Sequence, residues 1–186
     1  MKIINEETLA ETPFLKLVRL DCISPLGRRL KWDGTRRENR RAVSVVAVTK
    51  DEKIILVRQP RYLIGSEVIE FPAGLLDIKG ENMIKTAKRE LLEETGYEAT
   101  DFTILLGGEE GLVNSPGMTD ERSSLVVCKN AVKAAEPLEN EETKPFLLDL
   151  KGAYQELKEL AQREEVAFKV FGNLALAKDW YEGRRK

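Results

Sequence analysis

Two stretches, AVSVVAVT over residues 42–49 and KIILVR over residues 53–58, limit what this chain can fold into more than any other part of it. β-branched side chains lose rotamer freedom in a helix and pack well on a pleated surface, so both stretches read as strands. Their Val and Ile content is nearly continuous where a half-exposed strand would alternate, which places both strands, joined as a hairpin, at the centre of a sheet buried on its two faces.

The other elements arrange themselves around that centre. Residues 15–23 (LKLVRLDCI) and 28–32 (RRLKW) alternate on either side of Pro25-Leu26-Gly27 and form an N-terminal hairpin. Residues 68–71 make a short strand that runs into Pro72-Ala73-Gly74. Apolar residues at Met83, Ile84, Ala87, Leu91 and Leu92 then predict a helix over 83–95 that Gly96 terminates. Strands follow near 103–106, 124–127 and 146–150, then helices over 153–163 and 168–182. The acidic stretch AAEPLENEETK, residues 134–144, lacks periodicity and reads as a long loop. The order is α+β with a mixed sheet.

Composition narrows the chemistry. The chain of 186 residues is long enough for one well-cored domain, and its 30 basic and 32 acidic side chains leave a formal charge of -2. That balance provides no bulk attraction for nucleic acid or an anionic membrane surface. Cys22 and Cys128 stand far apart with no CxxC, as expected in a reducing cytoplasm, and no apolar run approaches the length of a bilayer span. Histidine is absent altogether, which removes every Ser-His or Cys-His arrangement and leaves acid-base or metal work to carboxylates.

Carboxylates are concentrated in KRELLEETGYE, residues 88–98. On a helix Glu90, Glu93 and Glu94 stand at i, i+3 and i+4 and share one face. Such like-charge pairs cost a few tenths of a kcal/mol each, and the negative end of the helix dipole adds to the penalty. A solvated face relieved by Lys85, Lys88 and Arg89 is the ordinary explanation. A hard divalent cation is the functional one, since clustered carboxylate oxygens suit Mg2+ or Mn2+.

The surrounding segment GLLDIKGENMIKTAKRELLEETGY, residues 74–97, resembles the Nudix box of the nucleoside-diphosphate-linked-X hydrolases. From Glu81 the spacing matches throughout: seven residues, then Arg89-Glu90-Leu91-Leu92-Glu93-Glu94-Thr95-Gly96, with Tyr97 in the final aliphatic place. Between Gly74 and Glu81 this chain has six residues where the family has five. The resemblance implies a Nudix fold, an α/β/α sandwich around a mixed β-sheet, here with an N-terminal β-hairpin extension. It also implies metal binding by Glu90, Glu94 and the Ala73 carbonyl, Glu93 as a ligand or water-orienting group, and a mainly structural role for Glu81 and Arg89.

Three further stretches resemble the ADP-ribose pyrophosphatase branch: EFPAGLLD (70–77), SPGMTDERSS (115–124) and LENEETK (138–144). The last is similar to a loop that delivers a catalytic glutamate, which by residue order is Glu139, with Glu141 an extra metal contact and Glu142 the competitor. Ser115 and Met118 fall in the substrate loop. Of Arg58 and Arg61 in VRQPR, the resemblance favours Arg61 as the phosphate contact. Trp32 and Arg37 in WDGTRR would meet adenine and phosphate or ribose, although a core or dimer contact for Trp32 and a solvated turn for Arg37 are the plainer alternatives. Residues 1–38 would be a dimerisation element and 39–186 the Nudix domain. The expected activity is metal-dependent hydrolysis of ADP-ribose to AMP and ribose 5-phosphate. Its alternatives are another nucleoside diphosphate sugar, such as GDP-mannose or ADP-glucose, or a non-catalytic module that binds a nucleotide sugar.

Overall fold

The computed structural model describes residues 1–183; the last three residues of the expected 39–186 unit lie outside it. The chain opens with β1 (Lys2–Glu11), β2 (Lys16–Ile23) and β3 (Arg29–Arg36), an antiparallel three-stranded sheet in that order. β2 and β3 form the hairpin expected from their alternation. β1 is a correction to a two-stranded extension: its polar sequence KIINEETLAE is exposed along its whole length, so it carries none of the apolar periodicity by which a strand is recognised.

The main sheet contains β4 (Arg41–Thr49), β5 (Lys53–Arg61), β6 (Ser66–Glu70), β7 (Ala73–Leu75), β8 (Tyr97–Leu106), β9 (Leu112–Val113), β10 (Arg122–Lys133), β11 (Lys144–Asp149) and β12 (Glu165–Val166). The strand path is β12-β6-β5-β4-β10-β8, with β11 on β5, β7 on β4 and β9 on β10. β4 runs parallel to β10 and β10 antiparallel to β8, so the sheet is mixed.

Residue parity explains why β4 is apolar on both faces. Val43, Val45 and Ala47 pack with Val126 and Cys128 against Met83, Ala87 and Leu91 of helix α1 (Met83–Thr95). Val46 and Val48, with Leu125, Val127 and Ile54, pack on the opposite face against Leu157 and Leu160 of α2 (Ala153–Leu160) and Val170, Leu174 and Ala177 of α3 (Lys169–Gly183). Helices on both faces of a mixed sheet make the α/β/α sandwich. Among the described residues no helix is long and apolar enough to cross a membrane.

The expected central hairpin is splayed: β4 and β5 share the single pair Val48↔Ile54. Beyond it β5 turns to β6 and β11, while the edge of β4 that faced β5 is taken over by the chain leaving β6. The Val45 amide donates to the Pro72 carbonyl at 2.8 Å, and Ala73, Gly74 and Leu75 pair with Ser44, Val43 and Ala42.

Candidate active site

α1 occupies residues 83–95, as its apolar spacing predicts. Asn82 caps its start by accepting from the Lys85 amide at 3.0 Å, and Gly96 ends it with φ 71°, where its amide donates to the Leu92 carbonyl. The helix buries Met83, Ala87 and Leu91, which carries Glu90 and Glu94 to the edge of the same interface, 7% and 2% exposed. Both point toward β7. Glu94 Oε2 accepts from the Ala73 amide at 3.1 Å. A Cβ built on Gly74 would lie 1.9 Å from the Glu90 carboxylate, so the glycine leaves the space that this side chain fills.

Arg89 organises the rest. Its Nη1 meets Glu90 Oε1 at 2.8 Å and Glu93 Oε2 at 2.9 Å, its Nε lies 3.4 Å from Glu81, and its Nη2 donates to the Leu75 carbonyl at 3.4 Å. Thr86 Oγ1 donates to Glu81 at 3.0 Å. The guanidinium and Glu81 thereby tie the first turns of α1 to the β7 strand across the intervening loop.

Two carboxyls this deeply placed do not hold charge easily. Burial pushes Glu90 up to about 7, against the pull of Arg89. Burial raises Glu94 to about 8 despite the hydrogen bond from Ala73, and the neighbouring charges of Glu90 and Glu141 push it the same way. Arg61 pulls weakly in the opposite sense and is itself ion-paired with Glu70, a carboxylate 5% exposed that also meets Lys169 at 3.3 Å.

The donor chemistry fits a hard cation: carboxylate oxygens only, desolvated, mutually repulsive and set beside backbone. Among the described residues no three acidic, His or Cys side chains are already drawn into a cage; Glu90 and Glu93 lean on Arg89, and Glu94 on Ala73.

The acidic segment lies at the C-terminal end of α1, with one 3-10 turn at Glu139–Glu141. Glu141 is half-buried and its charge acts on both Glu90 and Glu94. Glu139 is exposed, whereas Glu142 accepts from the Tyr62 hydroxyl at 2.6 Å.

The remaining candidates form a separate group. Trp32 Nε1 donates to the Gly117 carbonyl at 3.3 Å, and the Thr35 amide donates to the Met118 carbonyl at 2.8 Å, so β3 is seated on the 115–120 turn. Trp32 and Met118 both line a cleft of about 120 Å3 and are 51% and 66% exposed. The Ser115 carbonyl accepts from the Met118 and Thr119 amides. Arg37 instead borders a cavity of about 630 Å3 with Glu6, Phe14, Lys16 and Arg36 in the N-terminal sheet. No hydrogen bond or ion pair among the described residues joins this group to the α1 carboxylates.

Sequence reasoning gave no role to Glu70, although it stands in EFPAGLLD; nothing local distinguishes a carboxylate that a distant lysine and arginine will bury. Gly74's close approach to Glu90 was equally hidden, because only the packed helix creates it.

Known proteins resemble this chain over most of its length. The family profile of the NUDIX domain matches residues 38–171. The "Methanol dehydrogenase activator" of Bacillus methanolicus is 37% identical over 132 residues, covering 71% of this chain and 68% of that protein. The "ADP-ribose pyrophosphatase" of Bacillus subtilis (strain 168) is 38% identical over 126 residues, 65% and 64% of the two. A crystal structure of an ADP compounds hydrolase superposes with a TM-score of 0.81 at 27% identity, covering 98% of this chain and 95% of its own.

Proposed function

The chain belongs to the NUDIX domain family, and on that premise we propose that it is a Mg2+- or Mn2+-dependent pyrophosphatase that cleaves ADP-ribose to AMP and ribose 5-phosphate. The observation that carries this reading is the buried pair Glu90 and Glu94 on one face of α1 against the β7 backbone, too desolvated to be charged together without a cation. Glu90, Glu94 and the Ala73 carbonyl would hold the metal, with Glu141 beside them. When bound, it would neutralise the diphosphate bridge and acidify water.

The chain's own groups do the rest. Glu93, half-buried and fixed by Arg89, orients water. Glu139, exposed and without an ion pair among the described residues, takes the proton from the attacking water; Glu141 stands beside the metal ligands and Glu142 is engaged by Tyr62. Arg61 grips a phosphate by giving up part of its contact with Glu70, a bidentate exchange that guanidinium geometry permits. The exposed faces of Trp32 and Met118 receive the adenine, with Ser115 in the same turn as Met118 and Arg37 on phosphate or ribose. Residues 1–38 form the contact of a homodimer and 39–186 the catalytic domain. The buried, free Cys22 and Cys128 accord with a cytoplasmic protein. Neither nucleic acid nor membrane is a partner.

Another nucleoside diphosphate sugar remains the second reading, because the diphosphate is the part of the substrate these carboxylates address. A silent binding module is disfavoured: simple binding has no use for a repulsive buried pair. Product analysis across ADP-ribose, ADP-glucose, GDP-mannose and NADH with Mg2+ decides among them. We expect AMP and ribose 5-phosphate from ADP-ribose. Turnover of GDP-mannose alone moves the substrate, and binding without release of nucleotide in any metal overturns the enzyme reading.

A further inference from the structure

Residues 134–143 contain no strand and one turn of 3-10 helix, yet the part that carries the acids is fastened at both ends. An α-helix leaves its last carbonyls without intrahelical partners. In α1 the Glu93 carbonyl accepts from the Leu138 amide at 2.9 Å, and the Glu94 carbonyl accepts from the Thr143 hydroxyl at 2.6 Å. A carbonyl can only accept, so the hydroxyl is the donor. These two anchors bracket Glu139, Asn140, Glu141 and Glu142. They grip neighbouring carbonyls of the two residues whose side chains face the site, so the segment must fold back over that end of the helix.

We propose that Thr143 is a positioning residue: its hydroxyl, on the backbone of Glu94, sets where the Glu139–Glu141 turn stands relative to the α1 carboxylates. The Leu138 amide is available in any sequence without proline there, whereas the second anchor needs a side-chain donor of this length. Thr143 is half-buried, which shields its bond from competing water. Glu141, inside the bracketed turn, is the acid of this segment whose charge acts on both Glu90 and Glu94. Tyr62 offers a contrast: its hydroxyl donates to the same segment through Glu142 at 2.6 Å, and no hydrogen bond among the described residues joins it to α1. A loop that needs only general restraint would use both bonds alike; a loop that needs registration to α1 depends on Thr143.

This inference rests on the pyrophosphatase reading, and its test separates the two. Thr143→Val, Thr143→Ser and Tyr62→Phe are made in the full chain. Each is followed by kcat and KM for ADP-ribose with Mg2+, by amide hydrogen exchange of residues 138–142 without substrate, and by thermal melting. Thr143→Val should lower kcat about tenfold to a hundredfold with KM within about twofold, since small misplacements of a catalytic group have effects of this size. Exchange in the segment should accelerate, and Thr143→Ser should restore both. Tyr62→Phe should stay within about threefold of the parent in kcat. Faster exchange with unchanged kcat in Thr143→Val overturns the positioning role, as does an equal loss in Tyr62→Phe. Should the parent hydrolyse none of the substrates, the functional reading fails. Exchange then decides the anchor alone, and equal protection in Thr143→Val and parent overturns it.

Discussion

Glu94 combines deep burial, one backbone hydrogen bond and two like-charged neighbours, so its ionised form is held at a disadvantage that a cation would remove. Glu94→Gln keeps the shape and the contact with Ala73 but loses the charge. Turnover should fall on the order of 10²-fold or more, while the melting temperature without metal stays level or rises. Steady-state kinetics and a thermal melt check this, and retained activity would remove Glu94 from the site. The same burial gives the metal-free protein an unusual pH response. Glu90 and Glu94 titrate near 7 and 8 in the fold against an ordinary 4.5, so between these limits the folded chain binds more protons than the unfolded one. Stability must then fall as pH rises through that window. Melting without metal should drop by on the order of 10 °C from pH 5.5 to 8.5, and saturating Mg2+ should flatten the slope. A melting point that climbs with pH under metal-free conditions contradicts the burial. The three glutamates were legible in the sequence because one helix carries them all. Glu70 was not, since Arg61 and Lys169 reach it from other elements.

Local signals define α1 from end to end: its apolar stripe, the Asn82 cap and a glycine in the left-handed region lie within residues 82–96, and the helix follows them to the residue. Strand limits were less legible. β8 begins at Tyr97 and β10 continues to Lys133, because neighbouring strands supply partners to segments whose own sequences alternate poorly. β7 is invisible for the same reason; three residues acquire strand geometry only because β4 offers its edge. Its glycine makes the element testable. In Gly74→Ala the new methyl meets the Glu90 carboxylate, a flexible end that can swing aside, so the fold should survive with its melting temperature within about 3 °C. Metal affinity should weaken about tenfold or more, read by calorimetric titration, as for other disturbances beside a ligand. Unchanged affinity would show that Glu90 does not depend on that space.

At the scale of the molecule, the N-terminal sheet touches the rest through β3 and the 115–120 turn, where the Trp32 and Thr35 bonds lie. Deleting residues 1–38 removes those bonds and the proposed dimer contact while leaving the α1 carboxylates in place. Sedimentation should show a dimer becoming a monomer, KM for ADP-ribose should rise about tenfold or more, and metal affinity should hold. A full-length monomer would overturn the dimer reading. The sandwich itself was foreshadowed by two strands apolar on both faces. Their splaying was not, because a hairpin pattern specifies adjacency near the turn and says nothing of how far it extends.

That splaying has a mechanical meaning. From Ser66 to Leu75 the chain is sewn first to β5 and then, past Phe71 and Pro72, to β4, so one thread stitches the two leaves of the sheet where they no longer hold each other. Pro72, Ala73 and Gly74 are the first stitches on the far leaf. Glu94 and Glu90 meet Ala73 and Gly74, so the backbone that forms the seam on the β4 leaf is also the wall against which the carboxylate pair is set.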